Sequence, residues 1–257
     1  MRVFASTFLL LALLLLPAQP VFAQTQVNVG AYNYPPFISH AESANPQGLL
    51  LALLEQLNGE QTDFRFVLVP TSLARRYQDM NSGRFDLILF ESEQWGWQGN
   101  AYQSIDMAIE DAGLYVAKAQ PGRDQHYFDS FTDKRLALYA GFRYGFAGFN
   151  ADRDTLRQNY QAEFTYSHES NLLKVLAGRS DITVVSQPFL DGFIADNPAS
   201  AEQFLVSEKT DQVFQFQLLL RPDSPISAEQ MSRLYQQLRD NGKLPALLLK
   251  YHLHLTD

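Results

Sequence analysis

Beyond residue 23 the chain alternates between short runs of β-branched, aromatic and leucine residues and longer runs whose apolar positions recur every three or four residues. The first spacing belongs to strands and the second to helices packed on one face. Strands are predicted at Val27–Ala31, Phe64–Val69 and Phe85–Phe90. Between them lie two helical patterns: Gly48–Leu57, with Leu50, Leu53, Leu54 and Leu57 on one stripe, and Ser72–Ser82, with Leu73, Tyr77 and Met80 on one stripe and Gly83 as its stop. A second set follows Pro121-Gly122, with strands at Leu136–Tyr139, Phe164–Ser167 and Asp181–Val185 and helices near Ala151–Tyr160, Glu169–Ala177 and Pro188–Asp196. One further strand, Phe214–Leu220, precedes a helix over Ser227–Asp240, where Ser227 and Gln230 have capping-box spacing, and an amphipathic segment, Leu244–Leu253, closes the chain.

Strands alternating with helices imply α/β architecture with mostly parallel sheets covered by helices. Polar stretches at Lys118–Asp124 and Glu208–Gln212 fit two hinge crossings between two lobes, the C-terminal strand and helices returning to complete the first. The expected division is residues 24–119 plus 212–257 in lobe 1 and 120–211 in lobe 2.

The first residues change the picture. Arg2, the apolar run Phe8–Leu16, Pro17 and the small residues of Val21-Phe22-Ala23 together read as a secretory signal peptide over residues 1–23, cleaved after Ala23. A spanning helix needs about 20 apolar residues, and Pro17, Gln19 and Pro20 interrupt this run. The expected location is periplasmic. With Cys 0 there is neither a cysteine to carry lipid nor a disulfide, so stability must come from packed cores, which a 46% hydrophobic composition can supply. The net charge of -8 becomes -9 once Arg2 leaves with the leader. Such a surface lacks the basic footprint that nucleic acid or an anionic membrane requires, so no nucleic acid partner is expected; a monomer is expected as well.

Signals for catalysis are missing. The sequence has no Gly-x-Ser-x-Gly elbow and no His-Glu-x-x-His, and His252 with His254 gives two metal ligands where a site needs at least three. No metal, no cofactor and no catalytic residue is expected.

Several motifs in order carry a resemblance. Gly30-Ala31-Tyr32-Asn33-Tyr34-Pro35-Pro36-Phe37, the Gly48-Leu49-Leu50 helix start, Gly83-Arg84-Phe85-Asp86-Leu87-Ile88, Gly113-Leu114-Tyr115-Val116, Gly178-Arg179-Ser180-Asp181-Ile182 and Asp240-Asn241-Gly242-Lys243 span nearly all of the mature chain. Together they resemble the extracellular solute-binding proteins related to the amino-acid-binding subunits of ABC importers. That resemblance implies a two-lobed periplasmic-binding-protein-like fold of type II, a small-molecule ligand in the cleft between lobes, and an inner-membrane permease complex or a receptor as partner. The implied function is capture of a small polar or charged ligand for ABC-type uptake. Alternatives are a periplasmic sensor presenting its bound form to a receptor, or a small lyase on the same fold.

Candidate site residues follow the predicted strands, where ligands of open α/β sheets sit. Tyr32, Tyr34 and Phe37 flank two prolines that stiffen their loop and suit an aromatic wall. After Phe90, where amino-acid binders typically carry a Thr and an Arg, this chain has Glu91-Ser92-Glu93-Gln94-Trp95-Gly96-Trp97; Glu91, Ser92 and Trp95 are the candidates there. Arg75, adjacent to Arg76, matches an Arg found in a subgroup of the family and could meet an anionic group. In the second lobe Gly141-Phe142-Arg143-Tyr144-Gly145-Phe146 offers backbone N–H groups to an anion and nominates Tyr144. Ser186-Gln187-Pro188 stands where an acidic residue usually takes an ammonium, nominating Ser186; Ser167 reads as a helix cap or a ligand contact.

Overall fold

The computed structural model describes residues 24–256, so the expected leader and its cleavage after Ala23 lie outside the described residues. In chain order the elements are β1 (Thr25–Ala31), α1 (Leu49–Glu60), β2 (Phe64–Pro70), α2 (Arg76–Asn81), β3 (Leu87–Glu91), β4 (Gln103–Lys118), β5 (Leu136–Tyr139), α3 (Arg153–Tyr160), β6 (Ala162–Thr165), α4 (His168–Leu176), β7 (Ile182–Ser186), α5 (Gln187–Asp196), β8 (Phe204–Leu220), α6 (Ala228–Asp240) and α7 (Lys243–Leu249). The strands lie in the order β2-β1-β3-β8-β4-β7-β5-β6.

Two parallel groups make up this order. β1 pairs in parallel with β2 and β3, and β5 pairs in parallel with β6 and β7. Long antiparallel partners join the groups: β8 lies against β3, β4 against β7, and β4 and β8 pair with one another from Gln103↔Leu220 to Lys118↔Phe204. Register shifts interrupt that ladder between Asp106 and Glu110 and again after Gly113, where the strands pass from one group to the other. Gly113–Ala117 already pair with β7, so the chain enters the second group within β4, ahead of residue 119.

Each group has its own core, and the leucine spacing explains the first. Leu49, Leu50, Leu53, Leu54 and Leu57 of α1 are all buried, because a helix turns 3.6 residues per repeat and these positions share one face. They pack with Val27, Val29, Leu87 and Ile88 of the strands and with Met231, Tyr235, Leu238, Leu244 and Leu248 of α6 and α7, so the C-terminal helices cover the first group. In the second group one cluster, with Leu136, Leu138, Leu156 and Ile182, lies apart from another built from Leu114, Val116, Leu172 and Leu190.

Caps fix the helix starts. Ser227 Oγ accepts the Gln230 N–H at 3.1 Å and Gln230 Oε1 accepts the Ser227 N–H at 3.0 Å, which is the reciprocal capping box predicted from the sequence. Asp152 and Ser167 accept the N–H groups of Thr155 and Ser170 at the starts of α3 and α4. The helix expected from Ser72 begins later, at Arg76, because the N–H groups of Arg75 and Arg76 both donate to the Ser72 carbonyl and close a turn first. That places Arg75 at the cap and Arg76 in the first turn.

Candidate functional site

The C-terminal ends of the parallel strands from both groups point toward the junction, and a cavity of about 50 Å³ lies between them. From the first half its wall is Tyr32, Tyr34, Leu73, Arg76 and Trp95; from the second it is Gly141 to Tyr144, His168 and Val184 to Ser186; Gly113, Gln212 and Phe214 of the joining strands close it. Gln212 ties the two sides together. Its Oε1 accepts the Trp95 indole N–H at 3.1 Å while its Nε2 donates to the Arg143 carbonyl at 2.8 Å. Tyr34 meets Phe142 edge-on across the cavity, ring centroids 5.5 Å apart. An outer groove shares Tyr32, Leu73 and Gly141 as walls and continues between Thr71–Ala74 and Asn33 on one side and Tyr139, Arg153 and Tyr166 on the other.

The first-half wall pairs its charges internally, although Arg76 Nε and Glu91 Oε1 meet as an ion pair without hydrogen-bond geometry. Arg76 and Glu91, both buried, form an ion pair with Nε to Oε1 at 3.3 Å. Arg76 also donates to the carbonyls of Trp95, at 2.9 Å, and Leu73, and its guanidinium lies 4.3 Å from the centre of the Tyr77 ring and 5.3 Å from that of Tyr32. Glu91 Oε2 accepts the Trp97 indole N–H at 2.7 Å. Burial pushes the Glu91 carboxyl up, while the Arg76 charge and the Trp97 and Tyr32 hydrogen bonds pull it back. A buried ion pair of this kind demands its partners, since removing one strands the other charge in a poor solvent. Burial likewise holds the Tyr32 and Tyr34 phenols well above their ordinary range, so both stay protonated.

The second-half wall is different. Among the described residues neither ring nitrogen of His168 nor the hydroxyl of Ser186 has a hydrogen-bond partner, although both residues are buried. Aromatic rings of Tyr139, Phe142 and Phe189 surround His168 at centroid distances of 4.8, 5.2 and 5.2 Å. Burial pushes its pKa down to about 3, so the imidazole is neutral and offers one donor and one acceptor. Ser186 is the residue before α5 but makes no side-chain cap. Buried polar atoms without partners are costly and uncommon.

Of the residues nominated from the sequence, the structure brings Tyr32, Tyr34, Trp95, Tyr144 and Ser186 to this cavity. Phe37 lies a layer behind, packed on Tyr34, Phe90 and Phe216 at 4.7–4.8 Å in the first-half core. Glu91 sits behind Arg76, and Ser92 is buried away from the cavity wall. Arg75 is not at the cavity: its side chain is 64% exposed and pairs with Asp79 at 3.4 Å, while its neighbour Arg76 turns inward. One residue is a 100° turn on a helix, and the helix starts where the Ser72 turn ends. The Tyr144 hydroxyl is engaged with the Tyr139 backbone N–H at 2.8 Å and carbonyl at 3.3 Å, so the ring contributes shape.

The glycine loop does not offer its amides freely. Gly145 and Phe146 N–H groups each donate to the Asp211 carboxylate at 2.8 Å, and Tyr115 O–H donates to it at 2.8 Å. Gly145 is required there, because a Cβ would sit 2.1 Å from the Asp211 carbonyl oxygen. His168, Phe142, Gln212 and Phe214 were not nominated from the sequence. His168 follows the capping Ser167, and Gln212 lies in a polar stretch read as a crossing; neither has a local signature. Among the described residues no group of three metal-ligating side chains occurs, and no helix is long and apolar enough to cross a membrane.

Comparison with solved structures settles the architecture. A substrate-binding protein of an ABC uptake transporter from Streptococcus pneumoniae, with bound histidine, superposes with a TM-score of 0.70 at 16% identity, covering 88% of this chain and 92% of that one. The fold is that of the type II periplasmic binding proteins. A mutant of ArgBP from T. maritima gives a TM-score of 0.66 at 17% identity, over 88% of this chain and 95% of that one. The GluR0 ligand-binding core from Nostoc punctiforme in complex with L-glutamate gives 0.65 at 15% identity, over 88% and 98%. Residues 141–247 match the family model of the periplasmic phosphonate substrate-binding proteins of ABC transporters. No curated protein sequence matches the chain. The resemblance to extracellular solute-binding proteins is therefore borne out, over a periplasmic-binding-protein fold with mixed strands and flanking helices.

Proposed function

We propose that this protein is a periplasmic substrate-binding protein that captures one small solute between its two halves and delivers it, unaltered, to an ABC importer in the inner membrane. The observation that carries the reading is the cavity itself. Both halves wall it, the joining strands β4 and β8 close it, and it contains buried polar atoms that no group among the described residues hydrogen-bonds. A solute placed there gains contacts from both halves at once, which is how hinge closure around a guest is stabilised. The match of residues 141–247 to a substrate-binding family supports delivery to a transporter. Export with the leader removed after Ala23 belongs to the same reading, as does a monomeric acidic protein indifferent to nucleic acid.

A thermal-shift screen of the protein lacking residues 1–23 against small acids, amines, amino acids and phosphonates tests the proposal. A ligand at a hundredfold over its Kd adds about 2.7 kcal/mol of folding stability. A hit should bind at one site per chain and be recovered chemically unchanged; turnover of the hit at catalytic protein concentrations would replace binding with a lyase activity.

A further inference from the structure

The polar groups of the cavity are distributed unevenly, and the unevenness specifies a ligand. In the first half the one cation at the wall, Arg76, is neutralised by Glu91 and donates to two carbonyls, so that wall presents no net charge. On the opposite side Arg143 lines the same cavity, and none of the ion pairs among the described residues includes it. One of its guanidinium nitrogens donates to the Phe149 carbonyl at 2.8 Å, and the other lies where a Cβ on Gly96 of the first half would meet it at 2.8 Å. Asp211, the acid beside this loop, gives its oxygens to Gly145, Phe146 and Tyr115.

Arg143 does not stand alone. Ser186 and His168, 6% and 2% exposed, present an unpartnered hydroxyl and an unpartnered imidazole to the same cavity. They sit at the starts of α5 and α4, whose N-terminal dipole ends favour negative charge. Arg143 and His168 follow β5 and β6, and Ser186 ends β7; these strands are neighbours in the sheet order, so all three residues come from one edge of the second half. A guanidinium, a hydroxyl and an imidazole N–H are donors. An oxyanion accepts from all of them and cancels the uncompensated charge.

We infer that the second half holds an oxyanionic group of the solute, a carboxylate or a phosphonate, through Arg143, Ser186 and His168, and that the first half contributes apolar and aromatic contacts without meeting any charge on it. This rests on the proposed solute-binding function and adds the ligand's chemical class. It also reverses the expectation that Arg75 of the first half meets the anion. Among the described residues no acid lines the cavity to take an ammonium, and Glu91, behind Arg76, is spent on Arg76 and Trp97.

Calorimetry and thermal shift on the protein lacking residues 1–23 test the inference, with methylphosphonate, benzoate and succinate as anionic probes at millimolar concentration. Benzamide and dimethyl methylphosphonate serve as uncharged counterparts, and agmatine as a cation without a carboxylate. At least one oxyanion should bind wild-type protein, and its uncharged counterpart should bind about 100-fold more weakly or not at all. Arg143→Gln should weaken the bound oxyanion about 10- to 100-fold, with Arg143→Lys in between, and Ser186→Ala about 3- to 10-fold. The melting temperature of each free variant, compared with wild type, shows that the loss is not misfolding. Full affinity in Arg143→Gln, equal affinity for benzoate and benzamide, or no oxyanion binding at all would overturn the inference. Binding of benzamide or agmatine alone would also overturn it, while leaving the solute-binding function standing.

Discussion

The two walls of the cavity use their polar groups in opposite ways. In the first half the buried charges have charged partners: Arg76 with Glu91, Asp86 with Arg221 at 2.8 Å, and Asp79 with Arg75 and Arg84 as well as the Thr71 hydroxyl. In the second, the imidazole of His168 and the hydroxyl of Ser186 are buried without hydrogen-bond partners, and Arg143 takes part in none of the ion pairs among the described residues. Satisfied buried groups stabilise and rigidify, whereas unsatisfied ones cost folding free energy that a ligand can return. The first wall is thus organised by the fold, and the second is left to be completed by the solute.

The comparison breaks most visibly at Glu91. Glu91→Gln leaves the Arg76 charge buried and unpaired, and is expected to cost about 3–5 kcal/mol of stability in urea unfolding. Adding Arg76→Met should restore much of that loss, because an apolar pair replaces an ionic one; failure of the double variant to recover would show that Arg76 acts mainly through its carbonyl contacts.

Next in size is Asp111, where the strands pass between the halves. Burial pushes its pKa up to about 8, against the N–H groups of Ala112 and Gln187 that hold it down. The folded pKa is therefore above the unfolded one, so between about pH 4 and pH 8 the folded state holds a proton that the unfolded chain has lost, and stability falls as pH rises. Asp111→Asn removes this titration. The variant should equal wild type near pH 4 and exceed it by about 2–5 kcal/mol at pH 8, levelling off above; a constant difference across the window would contradict the buried proton.

A smaller gain is expected in the second wall. His168→Phe replaces an unsatisfied buried imidazole with an apolar ring among Tyr139, Phe142 and Phe189, and should raise the stability of the free protein by about 1 kcal/mol. A loss of stability would mean that the imidazole is satisfied in solution. Smallest of all is Arg75→Ala, which removes an exposed pair with Asp79 and should change stability by less than about 1 kcal/mol, leaving calorimetric affinity untouched.

Local pattern made much of the fold legible. The α1 leucine stripe, the Ser227 capping box and the strand ends after Ala31, Tyr139 and Val185 depend on residues within a few turns of one another. The joining strands were harder to read. β4 carries Asp106, Glu110 and Asp111, and β8 begins at Phe204 and runs through Ser207 to Gln212, polar enough to resemble a connection. Their strand character comes from pairing with each other across about a hundred residues, where a long antiparallel ladder tolerates polar positions on its exposed edges.

The same division runs through the site. By itself the sequence determined that Tyr32, Tyr34, Trp95, Tyr144 and Ser186 would follow strand ends, since that placement needs only the order of local elements, and a ring or hydroxyl just past a strand end reaches the junction. Only the tertiary structure decided that Arg76 faces inward while Arg75 faces water, that Asp211 occupies the amides of the glycine loop, and that Gln212 bridges Trp95 to Arg143. Whether a buried polar atom is spent or free depends on partners far away in sequence, and a one-residue shift in where a helix starts rotates its side chains by 100°.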